Sequence, residues 1–221
     1  MSDQAQEQRT AFGSCTRRDH LIVAFTVLAF VVLAGRYALV TPIFEMPEEP
    51  WHLRRIAQTA AKDLPPGHAS WAQAPEVSSV QVQPPLYYWL GAALVQFFDW
   101  DSDPSVYELN PHARLADLYG VTNCNAMLAR VPVVPNGPLS MSVLALRLLS
   151  VLSGAVGLLF VYRLMLGFTM GRRWLAWTGM LMTGFLPGYT FLHSGISPVS
   201  LGSCFVLVAA YLAMRTASEA E

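Results

Sequence analysis

Residues 21–40 read LIVAFTVLAFVVLAGRYALV, twenty residues that carry a single charge, Arg36. At 1.5 Å per residue, a helix over this run covers about 30 Å, the thickness of the hydrocarbon core of a bilayer. Arg36 sits one turn from the end, where its stem can lie along lipid while its head reaches the headgroups. A secretory leader is the alternative, because Arg17 and Arg18 form a basic start and Thr16-Arg17-Arg18 faintly resembles a twin-arginine signal. The apolar run is longer than the core of such a leader, and no small-x-small cleavage site follows it. The stretch therefore reads as a retained membrane helix.

Three further apolar stretches lie downstream, at 142–165, 174–192 and 197–214. Ser197 is an expected N-cap with Pro198 at the first helical position, a well-matched start. Pro187 and Gly188 interrupt the 174–192 stretch near its end, which a membrane helix tolerates where neighbours or cavity water satisfy the freed carbonyls. Residues 85–98 (PLYYWLGAALVQFF) form a shorter run of about 21 Å as a helix, too short to cross. Tyr87, Tyr88 and Trp89 at one end, and Phe97, Phe98 and Trp100 at the other, suit a helix lying in the interface. Charge parity agrees with four spans: Arg9, Arg17, Arg18, Arg172, Arg173 and Arg215 then all fall on the cytoplasmic side. Counting 85–98 as a span would move Arg172 and Arg173 outside, against the positive-inside rule.

The expected fold class is an all-α integral membrane protein with about four transmembrane helices and a large exterior loop carrying interfacial amphipathic helices. It divides into a cytoplasmic tail (1–20), a first span (21–40), an exterior segment (41–141), three spans (142–215) and a cytoplasmic end (216–221). The expected location is the plasma membrane, crossed several times, with the N-terminus cytoplasmic.

Composition supports this reading. Among 221 residues, 53 % are hydrophobic and 13 % charged, where globular domains carry about 25 % charged residues. That excludes a disordered chain and an ordinary soluble domain. The net charge of −1 gives no field that would attract a nucleic acid. Cys15, Cys124 and Cys204 lie far apart without a CxxC pair, so neither a zinc knuckle nor a disulfide framework is indicated. Segment 41–141 holds ten Asp or Glu against five Lys or Arg, a net charge of −5, and it is too long to be a mere connector.

The candidate chemistry follows the first span directly, in residues 41–55 (TPIFEMPEEPWHLRR). Pro47 and Pro50 fix a bend, and Pro50 can open a helix running to about Ala61. Glu48 and Glu49 then sit at a helix N-terminus, which favours negative charge. His52 lies at i+4 and i+3 from them, within reach of either, and Arg55 follows on a nearby face. An ordinary solvated helix start would carry the same acidic residues. The spacing is also compatible with a divalent metal, although a lone His with two Glu is weak evidence for one. No other cofactor is indicated.

The order of motifs brings in a resemblance. An apolar span is followed by Pro47-Glu48-Glu49-Pro50-x-His52, Leu64-Pro65, Gln83-Pro84-Pro85-Leu86-Tyr87-Tyr88, Asn110-Pro111, and then Arg147-Leu148-Leu149-Ser150-Val151-Leu152-x-Gly154. Over residues 20–215 this resembles the N-terminal part of the GT-C membrane glycosyltransferases, and most of all the bacterial members akin to protein O-mannosyltransferases and lipid-A aminoarabinose transferases. The resemblance implies a partial GT-C fold and transfer of a sugar from a polyprenyl-phosphate donor to an acceptor hydroxyl on a protein, glycan or lipid, at the exterior face of the bilayer. Glu48 takes the position of the family's catalytic Asp, Glu49 that of its Glu, and His52 that of its His. Gln83 opens the stretch that begins an in-plane helix, and Arg147 matches an Arg at the outer start of the second span. Glu48 and Glu49 are thus the implied catalytic pair, with His52, Arg55, Gln83 and Arg147 as implied substrate or phosphate ligands. For Arg147 a snorkelling role is the alternative. For Trp51, Trp71, Tyr87, Tyr88 and Trp89 the alternatives are an interfacial belt and sugar stacking. Asn110 and His112 read as loop caps, and His193 as a polar helix end.

Three departures stand out. Glu48 is one methylene longer than the family's Asp. Residues 195–200 (GISPVS) replace an Asn-Asn-Asp run that many relatives carry. Relatives also continue for several hundred residues, so the expectation is an N-terminal part that is inactive alone. The rival reading is a truncated or degenerate homologue serving as a non-catalytic membrane subunit. A small transporter is a weaker third reading, since the spans contain no intramembrane acid.

Overall fold

The computed structural model describes residues 16–46, 48–61, 83–98 and 137–220. Pro47, Leu64, Pro65, Trp71, Trp100, Asn110, Pro111, His112, Cys15 and Cys124 lie outside the described residues. Every regular element among those described is an α-helix: α1 (Arg17–Val40), α2 (Glu49–Ala60), α3 (Pro85–Phe97), α4 (Pro138–Phe168), α5 (Arg173–Gly184), α6 (Pro187–Leu192) and α7 (Pro198–Ala220). The protein is thus all-helical as described, and α1, α4 and α7 are long and apolar enough to cross a membrane.

The helices carry the pattern this requires. Along α1, Thr26, Phe30, Ala34 and Ala38 recur every fourth residue and are buried, while Leu21, Phe25, Leu28 and Val32 face outward. An apolar outer stripe of this kind suits lipid contact. Helix α4 has 31 residues, about 46 Å at the helical rise, and is the most buried of the three long helices. The 174–192 stretch forms two helices rather than one. Helix α5 has 12 residues and α6 has 6, each too short to span alone. Pro187 has no N–H to continue the ladder and biases Leu186 away from the helical region; Leu186 is extended, at φ −63° and ψ 122°.

The chain falls into two compact units. The first comprises the described residues of Met1–Arg36, Ser150–Ser194 and Val199–Glu221; the second comprises those of Tyr37–Leu149 and Gly195–Pro198.

In the first unit, His193 ends α6 as the sequence implies, and it is buried there. Its Nδ1 lies 2.8 Å from the Tyr189 carbonyl oxygen, and its ring packs edge-on to Phe30. Gly154 permits this packing: a Cβ there would lie 2.6 Å from the His193 ring and 2.8 Å from Phe30. Asp19 pairs with Arg173 at 3.4 Å, and the Arg18 guanidinium lies over the Trp177 ring, so the starts of α1 and α5 meet.

In the second unit, α2 packs against α3. Glu49, His52, Leu53 and Ile56 are buried on one face of α2, at the i, i+3, i+4, i+7 spacing of an amphipathic helix. Gly91 lets α3 approach, since a Cβ at that position would sit 2.8 Å from Ile56 Cδ1. Helix α3 has 13 residues, about 20 Å, and exposes Leu86, Trp89, Leu90 and Phe97 on the side away from buried Tyr87, Tyr88 and Val95.

Candidate functional site

All six sequence-derived candidates lie in the second unit, where they form two separate groups. The first is built on Arg147. The α1 helix ends at Val40, ahead of Pro42, and leaves carbonyls without helical partners, as every helix end does. The Tyr37 carbonyl receives the Thr41 N–H at 3.0 Å. Arg147 serves the next ones. Its Nη1 donates to the Ala38 and Thr41 carbonyls, both at 2.7 Å, and its Nη2 to the Pro42 carbonyl at 3.0 Å. Nε and Nη2 also donate to the two oxygens of Glu49, each at 2.7 Å. A guanidinium has five N–H donors, and all five are used.

Glu49 is saturated in turn. Besides Arg147 it accepts from the Phe44 N–H at 2.8 Å and the Ile196 N–H at 3.4 Å. That fills about four lone-pair sites on a carboxylate. Both side chains are wholly buried. The pair therefore joins the negative end of α1, the positive start of α2 and the 195–198 turn, with charge signs that suit both helix ends. Arg147 neither snorkels nor retains a donor for a phosphate, and Glu49 offers no oxygen to solvent.

The second group runs from exposed Glu48 to buried His52, Tyr88 and Arg55. Glu48 precedes α2 with φ 58° and ψ −1°, in the left-handed region, and its side chain caps nothing. Holding a Glu there costs about 1–2 kcal/mol relative to a helical conformation. Its carboxylate is 57 % exposed, and Oε2 lies 3.5 Å from His52 Nε2. His52 is buried, and its Nδ1 lies 3.0 Å from the Tyr88 hydroxyl. That hydroxyl donates to Gln83 Oε1 at 2.9 Å. The Arg55 guanidinium stacks 4.1 Å over the Tyr88 ring, a cation–π contact. Arg55 is buried, yet its Nη1 finds no acceptor.

Burial, helped by the Arg55 charge, lowers the His52 pKa to about 4, so the imidazole is neutral at pH 7. Burial lowers the Arg55 pKa from its usual value, with the Tyr88 ring opposing the shift. Burial likewise raises that of Tyr88, Arg55 opposing and Glu48 reinforcing the shift, so the phenol keeps its proton. The second group thus holds an exposed carboxylate ahead of α2, a neutral imidazole in its first turn and an under-satisfied cation near its middle. Among the described residues no cluster of three or more His, Cys, Asp or Glu could hold a metal ion.

Sequence spacing did not identify Tyr88, which read as a belt or stacking residue, as the partner of His52. The two lie 36 positions apart, and only helix periodicity is legible at short range. Against known proteins, the chain matches no family profile, no curated protein and no solved structure.

Proposed function

We propose that the protein is a membrane glycosyltransferase of the GT-C type, acting on a polyprenyl-phosphate-linked sugar at the exterior face of the plasma membrane. In this reading Glu48 takes the proton of an acceptor hydroxyl as that oxygen attacks the anomeric carbon. The bond from that carbon to the phosphate oxygen breaks with inversion, and its electron pair leaves with the lipid phosphate. Arg55 faces the growing negative charge with its unused donor. The observation that carries the reading is Glu48 itself. A solvent-reaching carboxylate is kept in a strained backbone conformation, with no capping bond to explain it, beside a neutral His and two turns of chain before an Arg whose Nη1 has no acceptor. Strain of this kind concentrates at functional sites. Glu49 and Arg147 set the position of that start and stay outside the chemistry.

The proposed topology has four spans, with α5 and α6 together forming one broken span and α3 lying in the interface. The Asp19–Arg173 pair supports placing Arg17, Arg18, Arg172 and Arg173 on one side, as the positive-inside rule asks. The test is transfer from radiolabelled polyprenyl-phosphate sugars by the full gene product. Glu48→Gln keeps the shape and removes the base, so it should lower transfer by roughly 10²–10⁴-fold while leaving folding intact; full activity in that variant would reject the reading.

The rival reading, a non-catalytic membrane subunit, draws on residues 195–198. They offer no acid and are engaged in packing: Ile196 donates to Glu49, and Gly195 lies against Met46. Absence of transfer with every donor tried would favour it.

A further inference from the structure

The hydrogen-bond chain in the second group fixes where its protons sit. A phenol has one proton, and Tyr88 gives its proton to Gln83 Oε1. With Gln83 Oε1 as the acceptor of that proton, the Tyr88 oxygen accepts toward His52, which assigns the His52 proton to Nδ1. A neutral imidazole with its proton on Nδ1 has a bare lone pair on Nε2. That nitrogen faces Glu48 Oε2 at 3.5 Å, and the Glu48 carboxylate also only accepts. Two acceptors thus face one another, the carboxylate exposed and the imidazole buried behind it, neither able to satisfy the other. The charged groups around them are Glu48 and Arg55 on the α2 side, with Tyr88 the titratable group on α3; none donates a proton into the gap.

We propose that Tyr88 and Gln83 are positioning residues that lock the His52 proton on Nδ1, so that Nε2 and the Glu48 carboxylate together form a paired acceptor for a single neutral hydroxyl donor. This rests on the transferase reading and says how its acceptor hydroxyl is held. The ligand brings an O–H to the gap, as a sugar or a Ser or Thr side chain does. A carboxylate or phosphate oxygen would be repelled by both acceptors. Two acceptors converging on one hydroxyl also fix its direction before the proton moves to Glu48.

The test reads proton position and activity separately. Long-range ¹H–¹⁵N spectra of histidine-labelled protein in detergent, with the His52 signal assigned by its loss in His52→Gln, report which ring nitrogen is protonated. The expected result at neutral pH is Nδ1–H in the unaltered protein. Tyr88→Phe, which keeps the ring beneath Arg55, should move the proton wholly or partly to Nε2. Gln83→Leu should do the same, by freeing the Tyr88 proton to donate to Nδ1. Finding Nε2–H, or a doubly protonated ring, in the unaltered protein overturns the proposal with no variant needed. An unchanged tautomer in both variants overturns the positioning role. In the transfer assay, Tyr88→Phe should lower kcat by roughly ten- to a hundredfold, a loss in keeping with misplacement of a reacting group, and leave the KM for the lipid donor unchanged. Failure of the transferase reading shows differently: Glu48→Gln would stay fully active while the tautomer result stands.

Discussion

Arg147→Lys keeps the charge of the most heavily bonded side chain in the second unit and removes its geometry. The guanidinium serves five acceptors: two Glu49 oxygens and the carbonyls of Ala38, Thr41 and Pro42. An ammonium has three donors and cannot present a planar fork. At least two buried acceptors therefore lose their partners. At about 1–3 kcal/mol for each unsatisfied buried group, the expected loss for two is roughly 2–6 kcal/mol. Arg147→Met goes further, leaving Glu49 as a buried carboxylate without its counter-charge, and should cost about 3–5 kcal/mol. Changing Glu49 to Leu in the Arg147→Met background should recover part of that loss, because the stranded charge is gone. Unfolding in mixed detergent micelles, titrated with SDS and followed by tryptophan fluorescence, measures all three. If Arg147→Lys and Arg147→Met both lie within about 1 kcal/mol of the unaltered protein, the pair is not the clamp that the geometry describes. Loss of transfer in Glu49→Gln would report loss of structure, so Glu48→Gln is the informative variant for the proposed transfer.

Three other outcomes follow from particular contacts. Burial holds His52 near pKa 4 in the folded protein, against about 6.5 when unfolded. The unfolded state therefore binds the extra proton first as pH falls, and stability should be full above about pH 6.5 and decline by up to roughly 3 kcal/mol toward pH 4; His52→Gln should flatten that slope in pH-dependent denaturation. Gly154→Ala should destabilise the first unit by about 1–3 kcal/mol, because its Cβ would meet the His193 ring at 2.6 Å and Phe30 at 2.8 Å, and His193→Ala in the same chain should relieve most of that in thermal unfolding. Glu48→Gly should raise stability by about 1 kcal/mol, by removing the left-handed cost, while abolishing transfer; an unchanged or lower stability would contradict the strain assigned to φ 58°.

The long helices were legible because their signal is local. An apolar run longer than the bilayer is thick needs no knowledge of its partners, so α1, α4 and α7 emerge at 17–40, 138–168 and 198–220 where runs at 21–40, 142–165 and 197–214 announce them. Pro50 likewise marked the start of α2, and Pro187 the break between α5 and α6. The pairings were not legible. Arg147 meets Glu49 across 98 positions, and Ile196 meets it across 147. No periodicity links residues that far apart, so from the sequence Arg147 reads as a phosphate ligand or a snorkelling charge, never as the partner of Glu49. His193 was legible as a polar helix end, but not as a buried one, because its burial depends on Gly154 and Phe30, which come from other helices.

Glu48 and Glu49 show where sequence reasoning stops and geometry takes over. They are the same residue type, adjacent, at one helix start, and from the sequence they form a pair. In the structure the chain turns sharply at Glu48, and only Glu49 enters the helix. One carboxylate then points inward and is closed off by four donors, while its neighbour stays more than half exposed with one imidazole beside it. An inward Glu49 explains the outward Glu48 mechanically. With its side chain clamped by Arg147 and the Phe44 and Ile196 amides, residue 49 cannot rotate, so the preceding residue takes up the change of direction in its own backbone. The clamp at Glu49 holds Glu48 in its left-handed conformation, and the two carboxylates have divided positions, one closed off inside and the other exposed. That division predicts an order of effects: disturbing Arg147 should relax the backbone of Glu48 and lower transfer even in molecules that stay folded, whereas altering Glu48 should leave the Arg147 clamp untouched.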